Sequence, residues 1–470
     1  MRSERDVPEL NRRRFLTAGV AFGVSGWAMA QSPAAAAMSA TGAASAEAFG
    51  VRPNAAGDQS RAFSAMLEQA SSSDQPIFLP PGTYLVSGIL LPRSTRLMGI
   101  EGATRLVPAG DGPIFRGDDI GALHLAGLTF DGAHRWFSGG ANALLDLRGV
   151  EALDIASCAV VNSGRSGIAL ERASGRIRRT RIEHAADIGI FSVDAGTLDI
   201  AGNDVRHCAN GGILVHRSAH GADGTRVTGN RIAHIRADQG GTGQFGNGIN
   251  VYRAGDVSIS GNHVSACAFS AIRSNGGSNL QVIGNQCLHS GETAIYSEFS
   301  FEGAVIANNI VDGAANGVSI VNFNEGGRLA TCTGNLVRNL SKTGPYETGA
   351  PGFGTGITVE ADCTATGNVI ENAPTYGMHL GWGPFLRNVA ATGNVIRRSG
   401  TGIAVSVVEG SGSAVISDNV ISESERGAIV GYRWADAATG ELANGSASGF
   451  AHLTVAGNQI SEAPDTLSPE

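Results

Sequence analysis

From about Ser157 onward, apolar and polar residues alternate at period two over stretches of only three to five residues, each broken by glycine or asparagine. Period two is the signature of a strand, whose successive side chains point to opposite faces. A phrase Gly-Asn-x-(Ile/Val) punctuates the stretches: Gly202-Asn203, Gly229-Asn230, Gly261-Asn262, Gly284-Asn285, Gly334-Asn335, Gly367-Asn368, Gly393-Asn394 and Gly457-Asn458, with variants at Asn308-Asn309 and Asp418-Asn419. With Asn308 taken as the turn residue of its copy, the shortest step is 23 residues, and Thr180 and Ser157 extend that step upstream. A second phrase, (Gly/Ala)-Ile-x-(apolar or small), lies between them, as in Gly189-Ile190, Gly212-Ile213, Ala271-Ile272 and Gly356-Ile357. Strands this short bury an apolar face only by stacking in register. The pattern therefore predicts an all-β, single-stranded parallel β-helix of roughly 12 rungs, about 60 Å long at the inter-strand spacing. In each turn the asparagine tolerates a left-handed backbone and can bond to its counterpart on the next rung.

The stretch before the rod differs. Ala62, Phe63, Met66, Leu67 and Ala70 form one helical face, with Asp58 as the expected N-cap. This predicts a short capping helix over 58–70, closing the open first rung against edge pairing. Together with Ile77-Phe78-Leu79-Pro80-Pro81-Gly82-Thr83-Tyr84-Leu85, it resembles the opening of pectate-lyase-superfamily proteins. In those, a helix plugs the first rung of a right-handed coil, in keeping with the handedness of parallel crossovers.

Composition narrows the reading. Glycine contributes 67 of 470 residues, charged residues only 16%, and the formal net charge is −8. Nearly all positive charge is arginine, because Lys342 is the single lysine. An acidic chain with no basic run beyond its first residues argues against a nucleic-acid partner.

At the N-terminus, Arg12-Arg13-Arg14-Phe15-Leu16 precedes an apolar stretch from Ala18 to Ala30. This resembles a twin-arginine export signal, with Arg12 and Arg13 as the recognised pair, although Asn11 and Thr17 depart from the usual pattern. The apolar stretch is too short and glycine-rich for a membrane span, and no stable span is expected after cleavage. The resemblance implies passage through the twin-arginine export machinery to a periplasmic or secreted location. The expected organisation is a signal over 1–30, an Ala/Ser-rich linker over 31–48, a cap with the first coils over 49–110, and β-helix repeats over 111–465. As a whole, the chain resembles uncharacterised twin-arginine-exported bacterial proteins with β-helix repeats like those of alginate epimerases. That resemblance implies fold and export but assigns no catalytic residue and no particular cofactor. The catalytic motifs of polygalacturonases and alginate epimerases do not occur here.

Chemistry must be sought on the outward positions of the Gly-Ile strands. These give His216, Asn250/Tyr252, Arg273/Asn275, Tyr296/Glu298, Thr358/Glu360 and His379, with Trp382 in the following loop. Insertions over 236–247 and 341–355 precede such strands, and those over 217–225, 299–303, 322–328 and 382–388 follow them. They would wall a groove suited to an extended polysaccharide. Removal of a proton beside a uronate carboxylate needs a base and a cation. Arg273, Tyr296 and Tyr252 are the candidates for a lyase or epimerase, with His216 as a second base. The binding candidates are His216, Asn250, Asn275, Glu298, Glu360, His379 and Trp382. Hydrolysis would need two carboxyl groups, and Glu298 and Glu360 fall two rungs apart, about 9.6 Å. For each of these residues a plain solvated or binding role is the readier reading.

His184, His207 and His234 occupy one repeat position and form either a side-chain ladder or, as a weaker alternative, a metal site. The six cysteines read as buried and free: Cys208 and Cys267 share a position but lie about 9.6 Å apart, beyond disulfide reach. Three readings stay open: a lyase or epimerase acting on an acidic polysaccharide, a non-catalytic glycan-binding or envelope-structural rod, and a cofactor- or metal-binding periplasmic protein.

Overall fold

Each rung places one large apolar side chain directly above the last. The column Ile168, Ile190, Ile213, Ile249, Ile272, Ile295, Val318, Ile357, Met378, Ile403 and Ile429 is in continuous parallel register. Every member is at most 1% exposed. The computed structural model describes residues 42–138 and 140–461. These wind into a parallel β-solenoid of about 13 turns, a little longer than the repeat count predicts. The signal residues, Arg12 and Arg13 included, lie outside the described residues. No helix among the described residues is long and apolar enough to cross a membrane.

The glycine of the Gly-Ile phrase follows from this stacking. A Cβ on Gly356 would lie 2.3 Å from the Gly377 carbonyl oxygen of the next rung, so neighbouring coils approach more closely than a side chain allows.

The turn asparagines form the ladder that the repeat predicts, with one correction of detail. Asn203, Asn230, Asn262, Asn285, Asn309, Asn335, Asn368, Asn394, Asn419 and Asn458 are linked in series. In each interior link, the Oδ1 accepts the backbone N–H and the Nδ2–H of the preceding asparagine. The Nδ2 also donates to a carbonyl of the rung before, as Asn285 does to Ile259 at 3.0 Å. The left-handed residue is not this asparagine but the one before it: Gly284 has φ 67° and Gly334 φ 64°. Asn308, expected in the ladder, occupies that glycine position with φ 56°, and Asn309 carries the bonds. Ser157 is displaced in the same way, at φ 52°, with Cys158 at the ladder position.

The capping helix runs Ser60–Ser72 and buries Phe63, Met66, Leu67 and Ala70. Its N-cap residue is Gln59 rather than Asp58. Asp58 lies one residue further out and accepts the Ser60 N–H at 2.8 Å. The chain enters the coil earlier than the expected linker boundary. Ala44–Ser45 pairs with Ile77–Phe78, and Ala46 is fully buried. At the other end, Leu442 and Ala447 are buried in the core, with Phe450 packed against it. One antiparallel hairpin, Ile429–Arg433 with Asp436–Glu441, projects from the last rungs. No repeat pattern announces it.

All six cysteines are free and buried. Burial pushes the thiols of Cys158, Cys208 and Cys267 up to about 12, which keeps them protonated and inert.

Candidate functional site

The outward positions form two columns, as alternation predicts. One runs Leu214, Asn250, Arg273, Tyr296, Ser319, Thr358, His379, and the other His216, Tyr252, Asn275, Glu298. At their centre is a cavity of about 430 Å³ lined by His216, Thr242, Gly243, Gln244, Asn250, Tyr252, Arg273, Asn275 and Phe299. Arg273, Tyr252, His216, Asn250 and Asn275 are therefore brought together, while Glu360, His379 and Trp382 are not part of it.

Arg273 is not the open cationic hook that its outward position suggests. Its Nε donates to Glu298 Oε1 at 2.6 Å and its Nη1 to Glu292 Oε2 at 3.3 Å. Its side chain is 12% exposed and both glutamates 3%. The 236–247 insertion closes over it: a Cβ on Gly243 would sit 1.6 Å from Arg273 Nη1. Two carboxylates thus neutralise one guanidinium, leaving no free charge for a ligand carboxylate. Burial opposes charge on Arg273, yet Glu298 and Glu292 hold its pKa above the ordinary value. Burial raises Glu298 above the usual carboxylate range, against the pull of Arg273.

Glu292 is the residue that sequence reasoning misses. It lies just before the strand Thr293–Glu298, in a turn where alternation assigns no direction. Besides Arg273, its Oε1 accepts the Tyr346 hydroxyl at 2.6 Å. That bond ties the 341–355 insertion to the floor. Tyr346 also packs between Phe269, at 6.2 Å, and Phe353, at 5.5 Å. Phe301, a candidate wall ring by its position, is instead a core residue, 1% exposed.

Tyr296 lies under the Arg273 guanidinium, 5.0 Å from its ring centroid. Burial, then Glu298, drives its hydroxyl well above the ordinary tyrosine value. A catalytic base needs the opposite shift. His216 is lowered to about 4 by burial, so it is neutral near pH 7. Its Nε2 and the Asn250 Oδ1 are both enclosed and lack a hydrogen-bond partner. Both atoms are sealed beneath the cavity rather than open to it, so each is a local cost of the packing.

The remaining candidates have structural roles. Glu298 is held by Arg273 and Asn275. Glu360, two rungs from Glu298 as expected, is 7% exposed and accepts the Phe323 N–H at 2.7 Å. The loop that would have walled the groove folds down onto it, so the two carboxyls do not face a shared opening. His379 is 7% exposed, covered by Tyr376 at 5.1 Å and Trp382 at 5.9 Å. Trp382 itself packs on Trp434 at 5.4 Å.

These burials set a pH dependence. Burial raises Glu360 to about 7 and lowers His379 to about 4. For Glu360, the unfolded chain loses its proton first, so stability falls as pH rises from about 4.5 to 7, by up to roughly 3 kcal/mol. Glu360→Gln keeps the acceptor for Phe323. It is expected to melt higher than the parent at pH 8 and at nearly the same temperature at pH 4. For His379 the sign reverses: its contribution is complete above about 6.5 and declines as pH falls toward 4. His379→Phe is expected to flatten that acid limb in the same melting series.

His184, His207 and His234 stack face to face, at 5.0 Å and 9°, then at 4.8 Å and 2°. All three have φ near 55°, so the ladder marks a left-handed turn. Among the described residues, no group of three His, Cys, Asp or Glu could hold a metal. Burial, together with the neighbouring imidazoles, lowers the His207 pKa.

With this geometry in hand, the family is clear. The chain belongs to the family described as right handed beta helix region, whose model matches residues 136–243 and 212–396, together more than half of the chain. No curated protein matches the sequence. Among solved structures, the catalytic unit of a GH87 alpha-1,3-glucanase from Streptomyces thermodiastaticus is 16% identical. That match covers 90% of this chain and 69% of that one, with a TM-score of 0.44. PfbA, a surface adhesin of Streptococcus pneumoniae, is 15% identical over 83% and 91%, at 0.40. The A-module of the mannuronan C-5 epimerase AlgE6 from Azotobacter vinelandii is 14% identical over 90% and 100%, at 0.39. At these identities and scores the likeness carries no argument about ligand or reaction.

Proposed function

We propose that this protein is an exported, polysaccharide-binding β-helix that holds sugar residues in the cavity above Asn250, Tyr252 and Asn275. The observation that carries the reading is the cavity itself, where the rings of Tyr252 and Phe299 stand beside the amide side chains of Gln244, Asn250 and Asn275. Sugar hydroxyls both donate and accept, and sugar ring faces pack on aromatic rings. The Arg273–Glu298–Glu292–Tyr346 network acts as a brace that fixes the floor and the 341–355 wall. The directions of the Tyr296 and His216 shifts favour binding over lyase or epimerase chemistry.

Calorimetry against a panel of neutral and acidic oligosaccharides tests the reading. Tyr252→Ala is expected to weaken binding by about 1–2 kcal/mol. Arg397→Ala, on another face of the coil with its partners Glu371 and Glu423, is expected to leave binding unchanged. Equal affinity for parent and Tyr252→Ala, or no binding across the panel, would remove the cavity from consideration. Export is tested separately: replacing Arg12 and Arg13 together by lysine is expected to retain the precursor in the cytoplasm. Undiminished export of that variant would rule out the twin-arginine route.

A further inference from the structure

The chain's single lysine occupies a second cavity. About 450 Å³ in volume, it is lined by Lys342, Ala350–Phe353, Thr375, Tyr376, Arg426, Tyr432 and the Ala435–Ala437 end of the hairpin. That size is ordinary for a small-ligand site. Its charge is not ordinary for a protein of net charge −8. Two cations line it against one carboxylate, Asp436. Neither Lys342 nor Arg426 forms an ion pair among the described residues, whereas Arg273 in the first cavity has two.

Arg426 is nevertheless oriented. Its Nη2 donates to the Thr375 carbonyl at 2.6 Å, leaving its remaining N–H groups available. The floor is aromatic and largely covered, with Tyr376 and Tyr432 buried. Tyr376 and Tyr432 meet edge to face at 5.1 Å, and the Tyr432 hydroxyl is paired with Thr401 Oγ1 at 2.9 Å. Phe353 supplies a third ring. An oriented guanidinium and an exposed ammonium, neither of them ion-paired among the described residues, suit a ligand that presents a negative group to the cavity.

We infer that this cavity is an anion-reading subsite for a carboxylate- or sulfate-bearing sugar, served by Lys342 and Arg426. The inference rests on the polysaccharide-binding reading, and it transfers the recognition of acid from Arg273 to a different place on the rod. The 341–355 insertion links the two regions: Tyr346 bonds Glu292 of the Arg273 network, and Phe353 lines the second cavity. Four rungs separate the Arg273 strand from the Tyr376 strand, roughly 19 Å along the axis.

The test uses the full chain and defined oligomers: oligouronates, sulfated oligosaccharides and neutral oligoglucosides. The double variant Lys342→Gln/Arg426→Gln is expected to lose at least tenfold in affinity for one of the two anionic probes. Its residual binding should lose most of its dependence on salt. Its binding of neutral oligomers and its melting temperature should match the parent. Lys342→Arg in the Arg426 background should retain anionic binding, which separates charge from shape. Whichever anionic arm responds identifies the group that is read. The inference is overturned if the double variant binds both anionic probes as the parent does. It is also overturned if the parent binds neither of them, even where neutral binding persists. Loss of neutral binding in Tyr252→Ala with anionic binding intact would overturn nothing here, and would confirm that the two cavities act separately.

Discussion

Arg273→Met is expected to destabilise the middle of the rod by about 3–5 kcal/mol, the cost of leaving buried charge without its partner. An outward position on a strand would suggest a tolerant site. The structure overturns that expectation because two glutamates, each 3% exposed, depend on one guanidinium. Removing it leaves two buried carboxylates without a cation, and Glu292 also fastens Tyr346. The loss should appear as faster amide exchange over 270–298 and over 341–353, beyond the drop in melting temperature. Adding Glu298→Gln and Glu292→Gln to Arg273→Met should restore much of the loss, since a neutral triad buries no charge. If Arg273→Met melts with the parent, the brace is an ornament of the surface and the ligand-facing reading of Arg273 regains its place.

Asn285→Ala is expected to cost a similar amount, about 3–5 kcal/mol, by a different route. Four hydrogen bonds converge on this amide. Its Oδ1 accepts two from Asn262, each at 2.9 Å, and its Nδ2 donates to Ile259 and Asn309, each at 3.0 Å. Every partner is buried, and each donor left without an acceptor costs about 1–3 kcal/mol. Asn285→Asp should rescue little, because it places a second acceptor opposite the Ile259 carbonyl. Asn458→Ala, at the half-exposed end of the ladder, should cost about 1 kcal/mol, since water replaces what is lost. Local exchange rates are the proper measurement, because stability in a stacked coil is a sum over neighbours rather than one global transition.

The coil was legible because its information is local. A left-handed turn, an asparagine and an alternating strand recur within 23 residues, and each can be read without knowing what lies across the molecule. The same locality explains the one-residue error at Asn308-Asn309: two adjacent asparagines offer the same letter, and only the backbone distinguishes the turn from the ladder. The columns of the site were equally legible, down to which residue follows which. Burial was not. Whether Arg273 or Glu360 meets solvent depends on where the 236–247 and 322–328 insertions fold, and these carry no repeat. Glu292 stayed hidden because a turn has no period. The hairpin that walls the second cavity escaped notice because its antiparallel pairing departs from the rule of every other rung.

The uniform advance of the coil makes the protein a measuring device. The ladder asparagines bond only to adjacent coils, so the axial distance between the two cavities is set in steps of about 4.8 Å. A ligand that touches both must match a whole number of such increments. The preferred oligomer length is therefore written in the number of coils between Arg273 and Tyr376, and the shortest oligomer that engages both cavities should be one that spans about 19 Å.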